Sequence, residues 1–142
     1  MTAALPLISA GLGGVLIIMS QTLMLSVGMH RTRTKRGVGY GDDVTLERKI
    51  RRHGNLIENA PMFVLVLALL EMAGGSQTAV LAFAGVFLIA RICHAIGFSS
   101  LSGSHQADSF NVFLGLRAVG ATTTALVGIM LGGYLLFTLS SL

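Results

Sequence analysis

The sequence predicts an all-α integral membrane protein: a four-helix bundle forming one transmembrane domain over residues 1–142, with spans at about 5–29, 46–73, 77–98 and 110–139. Three observations support this expectation. Charged side chains make up 11% of the chain, ten Lys and Arg with six Asp and Glu, against about 25% in an average soluble domain. Apolar residues reach 53%, and the mean hydropathy is +0.77. Long apolar runs, charged only at Glu58, cover Leu5 to Met29, Leu56 to Leu70, Ala79 to Ala90 and Ala118 to Leu139. At about 20 residues per crossing, four spans leave no room for a separate soluble domain.

The first run has no basic segment before it and, at 25 residues, exceeds a signal-peptide core of roughly 7 to 15. It is expected to persist as a membrane helix. Ser9, Ala10, Gly11, Gly13 and Gly14 give it a small-residue surface for close helix packing. From His30 to Thr45 the chain turns basic and then glycine-rich, which predicts a collar followed by a loop. Thr45 is the expected N-cap of the second helix, with Glu47 in its first turn at the positive end of the helix dipole. Continued to Ala73, that helix would be roughly 43 Å long and would project beyond a hydrocarbon core of about 30 Å. Pro61 interrupts its hydrogen-bond ladder, and Gly74, Gly75 and Ser76 supply a tight turn into the third span. A linker, Ser99 to Ser109, leads to the fourth. There Gly120, Thr124, Gly128 and Gly132 recur every fourth residue, the pattern of a helix-packing seam.

Eight of the ten Lys and Arg residues fall between Arg31 and Arg52. Basic residues gathered beside an apolar span follow the positive-inside rule and place both termini outside the cytoplasm. The same confinement accounts for the sequence pI near 10.0 without a nucleic-acid partner. The single cysteine, Cys93, can form no intramolecular disulfide, and no His, Cys, Asp and Glu set has metal-ligand spacing.

Four ionisable groups lie where hydrocarbon should exclude them: Glu58, Arg91, His94 and Arg117. Such groups cost several kcal/mol within a span and should face protein or a water-filled cavity. Arg51, Asn55 and Glu58 stand at i, i+4 and i+7 and share one helix face, with His53 a little around the cylinder. Arg91 and His94, three residues apart, share another. Because the helices alternate in direction, Arg51, Arg91 and Arg117 come together near the cytoplasmic end, which predicts a cationic pocket between helices. The competing expectation is a set of structural ion pairs, such as Glu58 with an arginine.

The stretch from Glu47 to Pro61, ERKIRRHGNLIENAP, resembles the second-helix signature of the MAPEG family, the membrane-associated proteins in eicosanoid and glutathione metabolism, most closely their small bacterial branch. Arg91, His94 and Arg117 are similar to later polar positions of that family, so the resemblance extends over nearly the whole chain. It implies a homotrimer in the bacterial inner membrane with glutathione bound as co-substrate between neighbouring protomers. By the same resemblance Arg51, Asn55 and Glu58 hold the tripeptide, with Glu58 on its amino group. Arg31 reaches a glutathione carboxylate, His94 and His53 lie at or beside the site, Arg91 belongs to the binding set, and Arg117 stabilises the thiolate.

Glutathione carries two carboxylates and one ammonium, so a cationic pocket with one carboxylate complements it. A free thiol titrates near about 8.5, and a neighbouring guanidinium favours the attacking thiolate. The function implied is a glutathione transferase, with glutathione peroxidase activity as a related outcome, acting on lipophilic electrophiles that arrive through the membrane lipids. Gly54 stands where eicosanoid-producing relatives often carry arginine, Phe98 where some carry tyrosine, and Ala118 where serine follows the fourth-helix arginine. These departures speak for a general glutathione site rather than a prostaglandin or leukotriene enzyme. The alternative from another class is a non-catalytic lipid-binding or scaffold protein of the same fold.

Overall fold

In the computed structural model, which describes residues 5–105 and 109–141, the chain is a bundle of α-helices joined by short connections. The order is α1 (Leu7–Thr34), α2 (Val44–Met72), α3 (Gln77–Gly97) and α4 (Val112–Ser140), and all are long and apolar enough to cross a membrane. This is the expected all-α membrane fold class. Residues 106–108 of the linker and the two chain ends, on which the expected side of the termini depends, lie outside the described residues.

The helix limits differ from expectation in two instructive places. The basic segment His30 to Thr34 is the last turn of α1 rather than loop. Arg31 and Arg33 there complement the negative end of the helix dipole, so the collar prolongs the helix. The helix stops where Lys35 turns left-handed at φ 52°, its N–H returning to the carbonyls of Arg31 and Thr32. The N-cap of α2 is Asp43 and not Thr45: the Asp43 carboxylate accepts from Leu46 N at 2.9 Å. Aspartate is the better acceptor for the unsatisfied first-turn N–H groups. His30 sits 2.7 Å from the same carboxylate, and this contact, followed by the Leu46 N–H, holds the Asp43 carboxyl below the usual range.

Pro61 lies inside α2 without ending it, as spans tolerate where neighbouring helices enclose the freed backbone. The turn from α2 to α3 uses Gly74 at φ +81°, a left-handed conformation suited to glycine. α3 is the short member, 21 residues against 29 in α2 and in α4.

Between lipid-exposed helices there is no net hydrophobic drive, so association rests on close packing and hydrogen bonds. Leu12, Leu16 and Leu23 of α1 meet Leu56, Phe63, Leu67 and Leu70 of α2, with Val80 and Phe87 of α3 and Leu131 of α4 completing the core. Phe63 and Phe87 stack with centroids 3.7 Å apart. Outward positions such as Ile18, Leu81, Ile89, Ile129 and Phe137 are apolar and exposed, which suits lipid and no aqueous surface.

The seam between α3 and α4 is made backbone to backbone. A Cβ on Gly97 would stand 2.5 Å from Arg117 N, and one on Gly120 would stand 2.6 Å from the carbonyl oxygen of Ala90. The fourth-residue stripe on α4 therefore divides, contrary to the expectation of one continuous seam. Gly120 and Thr124 are buried against α3, whereas Gly128 and Gly132 have nothing within 4 Å and line an open groove of about 320 Å³ between α2 and α4. At the opposite end of α2, the Glu71 carboxylate caps α1, accepting from Ile8 N at 3.0 Å, Ser9 N at 2.9 Å and Ser9 Oγ at 2.7 Å. Pro6, the N-cap residue of α1, offers no side-chain cap, so a residue from another helix takes that role.

Candidate functional site

At the basic end of the bundle a cavity of about 460 Å³ opens between α2, α3, α4 and the segment after α3. Each wall follows from a local feature. The i, i+4, i+7 spacing on α2 presents Arg51, Asn55 and Glu58 to the same space, as their shared face predicts. Close contact at Gly97 and Gly120 draws α4 against α3 and brings His94 and Arg117 to the opposite wall. The shortness of α3 leaves room above Phe98, which forms part of the lining.

Arg117 is held in place on two sides. Its guanidinium carbon lies 4.3 Å from the centroid of the Phe98 ring, and Nη1 donates to the carbonyl of Gly103 at 3.1 Å. The first contact is a cation–π interaction; the second still leaves most of the five guanidinium N–H groups available. The His94 ring is the other neighbour of this aromatic, its centroid 5.0 Å from that of Phe98. Among the described residues, the ion pairs are His30 with Asp43 and His105 with Glu47, at 2.7 and 2.9 Å. Among the described residues Glu58 takes part in neither and accepts no hydrogen bond, so the expected Glu58–arginine pair is not found there. Its carboxylate borders both the polar cavity and the groove along Gly128 and Gly132.

Three other residues read from the sequence stand away from this space. Arg91 is buried at 2% exposure behind the cavity wall and bonds to Asn55, His94 and Thr124. His53 faces α1, with Nε2 3.5 Å from Ser20 Oγ. Arg31 folds over its own loop, donating from Nη1 to the carbonyls of Gly37 at 3.1 Å and Gly39 at 3.0 Å.

The cavity also includes residues that the sequence reading passed over. Glu47, Ser104 and His105 line its mouth, with His105 Nε2 2.9 Å from Glu47 Oε2. The polypeptide from Phe98 onward is tied down by Arg48, which donates to the carbonyl of Phe98 at 2.9 Å and to that of Ser99. A cation on these last carbonyls suits the negative end of α3. Periodicity gave no signal for His105, since its partner is on a distant helix. Among the described residues, no group of three His, Cys, Asp or Glu side chains could hold a metal ion. The side-chain set instead suits an organic ion of mixed charge: two arginines, an amide and an imidazole, with the exposed Glu58 carboxylate beside them and Glu47 at the mouth.

The MAPEG family profile matches residues 9–137. The inner membrane protein YecN of Escherichia coli K12 is 33% identical over 86 residues, which cover 57% of this chain and 65% of that protein. YecN of Escherichia coli O6:H1 gives the same identity and coverage. The matched region thus spans just under two thirds of these relatives. No solved structure matches the chain.

Proposed function

Because the chain belongs to the MAPEG family, we propose that the cavity at the basic end binds glutathione and that the protein is an inner-membrane glutathione transferase for lipophilic electrophiles. The observation that carries this reading is the Glu58 carboxylate, without a partner among the described residues, in a cavity whose lining includes Arg51, Asn55, His94 and Arg117. Glutathione's ammonium pairs with Glu58, and its two carboxylates are met by cationic and N–H donors. Arg117, fixed by Phe98 and Gly103, offers its remaining N–H groups to the sulfur and stabilises the thiolate. The thiolate attacks an electrophilic carbon, forming the C–S bond as the leaving group departs with its electron pair, or as a strained ring opens.

The lipophilic partner reaches the thiolate through the groove beside Glu58, whose walls include Met62, Phe63 and Val66. Arg31 and His53, which lie away from the cavity of their own chain, are supplied by a neighbouring protomer in a homotrimer. The basic end faces the cytoplasm, where the co-substrate is dissolved.

Titration of the detergent-solubilised protein with reduced glutathione tests this reading. The expected result is ultraviolet thiolate absorbance that disappears in Arg117→Ala, with a melting temperature that rises with ligand concentration as mass action requires. No binding and no thermal shift would overturn it. The apolar groove also favours a second reading, a non-catalytic lipid-binding or scaffold protein, in which added phospholipid raises the melting temperature and glutathione leaves it unchanged.

A further inference from the structure

Arg91 is the largest fully buried side chain, and none of the ion pairs among the described residues involves it. A buried guanidinium without a carboxylate must be satisfied by neutral acceptors. Its Nη1 donates to Thr124 Oγ1 at 3.2 Å, and Nη2 contacts both Asn55 Oδ1 at 2.6 Å and His94 Nδ1 at 3.2 Å. Thr124 passes its own proton to the carbonyl of Gly120 at 2.7 Å.

A guanidinium has five N–H donors and no acceptor. This one-way chemistry fixes its partners. The Asn55 atom facing Arg91 must be the carbonyl oxygen, so the amide NH₂ is directed elsewhere. His94 Nδ1 must present its lone pair, which excludes imidazolium and places the single ring proton on Nε2. Asn55 and His94 both line the cavity, and neither the Asn55 NH₂ nor His94 Nε2 has a hydrogen-bond partner among the described residues.

We propose that Arg91 is a positioning residue that sets the hydrogen-bonding polarity of the cavity: by donating to Asn55 and His94 from behind, it makes both present N–H donors to the ligand. Arg51 and Arg117 can only donate as well, so the carboxylate acceptors are Glu58 on the same stretch of α2 and Glu47 at the mouth, where His105 already contacts it. Resting on the reading of this cavity as a ligand site, the assignment narrows the ligand class. Carboxylate oxygens or a thiolate sulfur match Asn55 and His94, whereas an amide that turns its own N–H toward them does not. A role for Arg91 in touching glutathione is replaced by one exerted through two neighbours.

The test is nitrogen NMR of histidine-labelled protein in detergent at neutral pH without glutathione, with His94→Gln used to assign the signal. The expected signal is the Nε2–H tautomer; an Nδ1–H tautomer or an imidazolium overturns the proposal in the wild-type protein alone. In Arg91→Leu the tautomers should mix and glutathione affinity should fall on the order of tenfold, the effect of losing oriented hydrogen bonds. Arg91→Lys, which keeps a donor, should restore the Nε2–H form. An unchanged tautomer in Arg91→Leu also overturns the proposal. Failure of glutathione to bind the wild-type protein at all would count against the glutathione site and leave the tautomer result standing on its own.

Discussion

Glu58 and Glu71 lie on the same helix, about three and a half turns apart, and the fold treats them in opposite ways. Glu71 accepts three hydrogen bonds from the first turn of α1. Glu58 accepts none and opens onto a cavity that carries Arg51 and Arg117. A carboxylate whose acceptor sites are filled by another helix is structural; its energy is already committed to the bundle. Glu58, exposed and with its acceptor sites empty among the described residues, is committed to no helix and is open to donors from outside the chain.

Substitutions that exchange or erase the contrast follow in order of size. Glu58→Gln should weaken glutathione binding by more than a hundredfold, about 3 kcal/mol for losing one partner of a desolvated charge pair, while the unliganded melting temperature hardly changes. Isothermal titration and a thermal melt on the same sample check both halves. Gly120→Leu should destabilise the bundle by about 2–3 kcal/mol, since a side chain there must displace the Ala90 carbonyl and the His94 backbone. It should also separate His94 from Arg117 and so reduce binding, which Glu71→Gln should not. Glu71→Gln should cost about 1–2 kcal/mol through weakened capping of α1, read as a lower unfolding midpoint with glutathione affinity unaltered.

The smallest effect concerns Asp43. Its carboxyl is held below the usual range by His30 and by the Leu46 N–H, so its contribution is present above the ordinary carboxylate value and is lost as the pH falls through the lowered one. The protection factor of the Leu46 amide, its exchange rate referred to the intrinsic rate at each pH, should fall on acidification in the wild type, and Asp43→Asn should flatten that dependence.

What was legible in the sequence was what depends on periodicity. The Arg51, Asn55, Glu58 face could be read from spacing because a helix turns through a fixed angle per residue. His94 and Arg117 could be assigned to the same end because hydrophobic spans alternate in direction. Contacts between distant segments carry no such signature. The capping of α1 by Glu71, the placement of His105 against Glu47, and the retreat of Arg91 behind Asn55 and His94 all depend on how helices dock. The divided glycine stripe shows the same limit: four equivalent-looking positions on α4 separate into a seam and an open groove only because α3 covers the first two and leaves the others bare.

The cavity also owes its existence to an unequal stave. α3 leaves the tight turn at Gln77 level with the ends of its neighbours and finishes eight residues short of their 29, a deficit of about 12 Å at 1.5 Å per residue. The mouth of the hollow is the notch beyond that shortfall, and its inner part lies alongside α3 between Glu58, His94 and Ala121. The height of that notch is therefore set by a count of backbone residues rather than by the size of a side chain. Lengthening α3 by one or two turns would fill the notch and leave the leucine and phenylalanine core untouched, so pocket and bundle stability can be altered independently within one small chain.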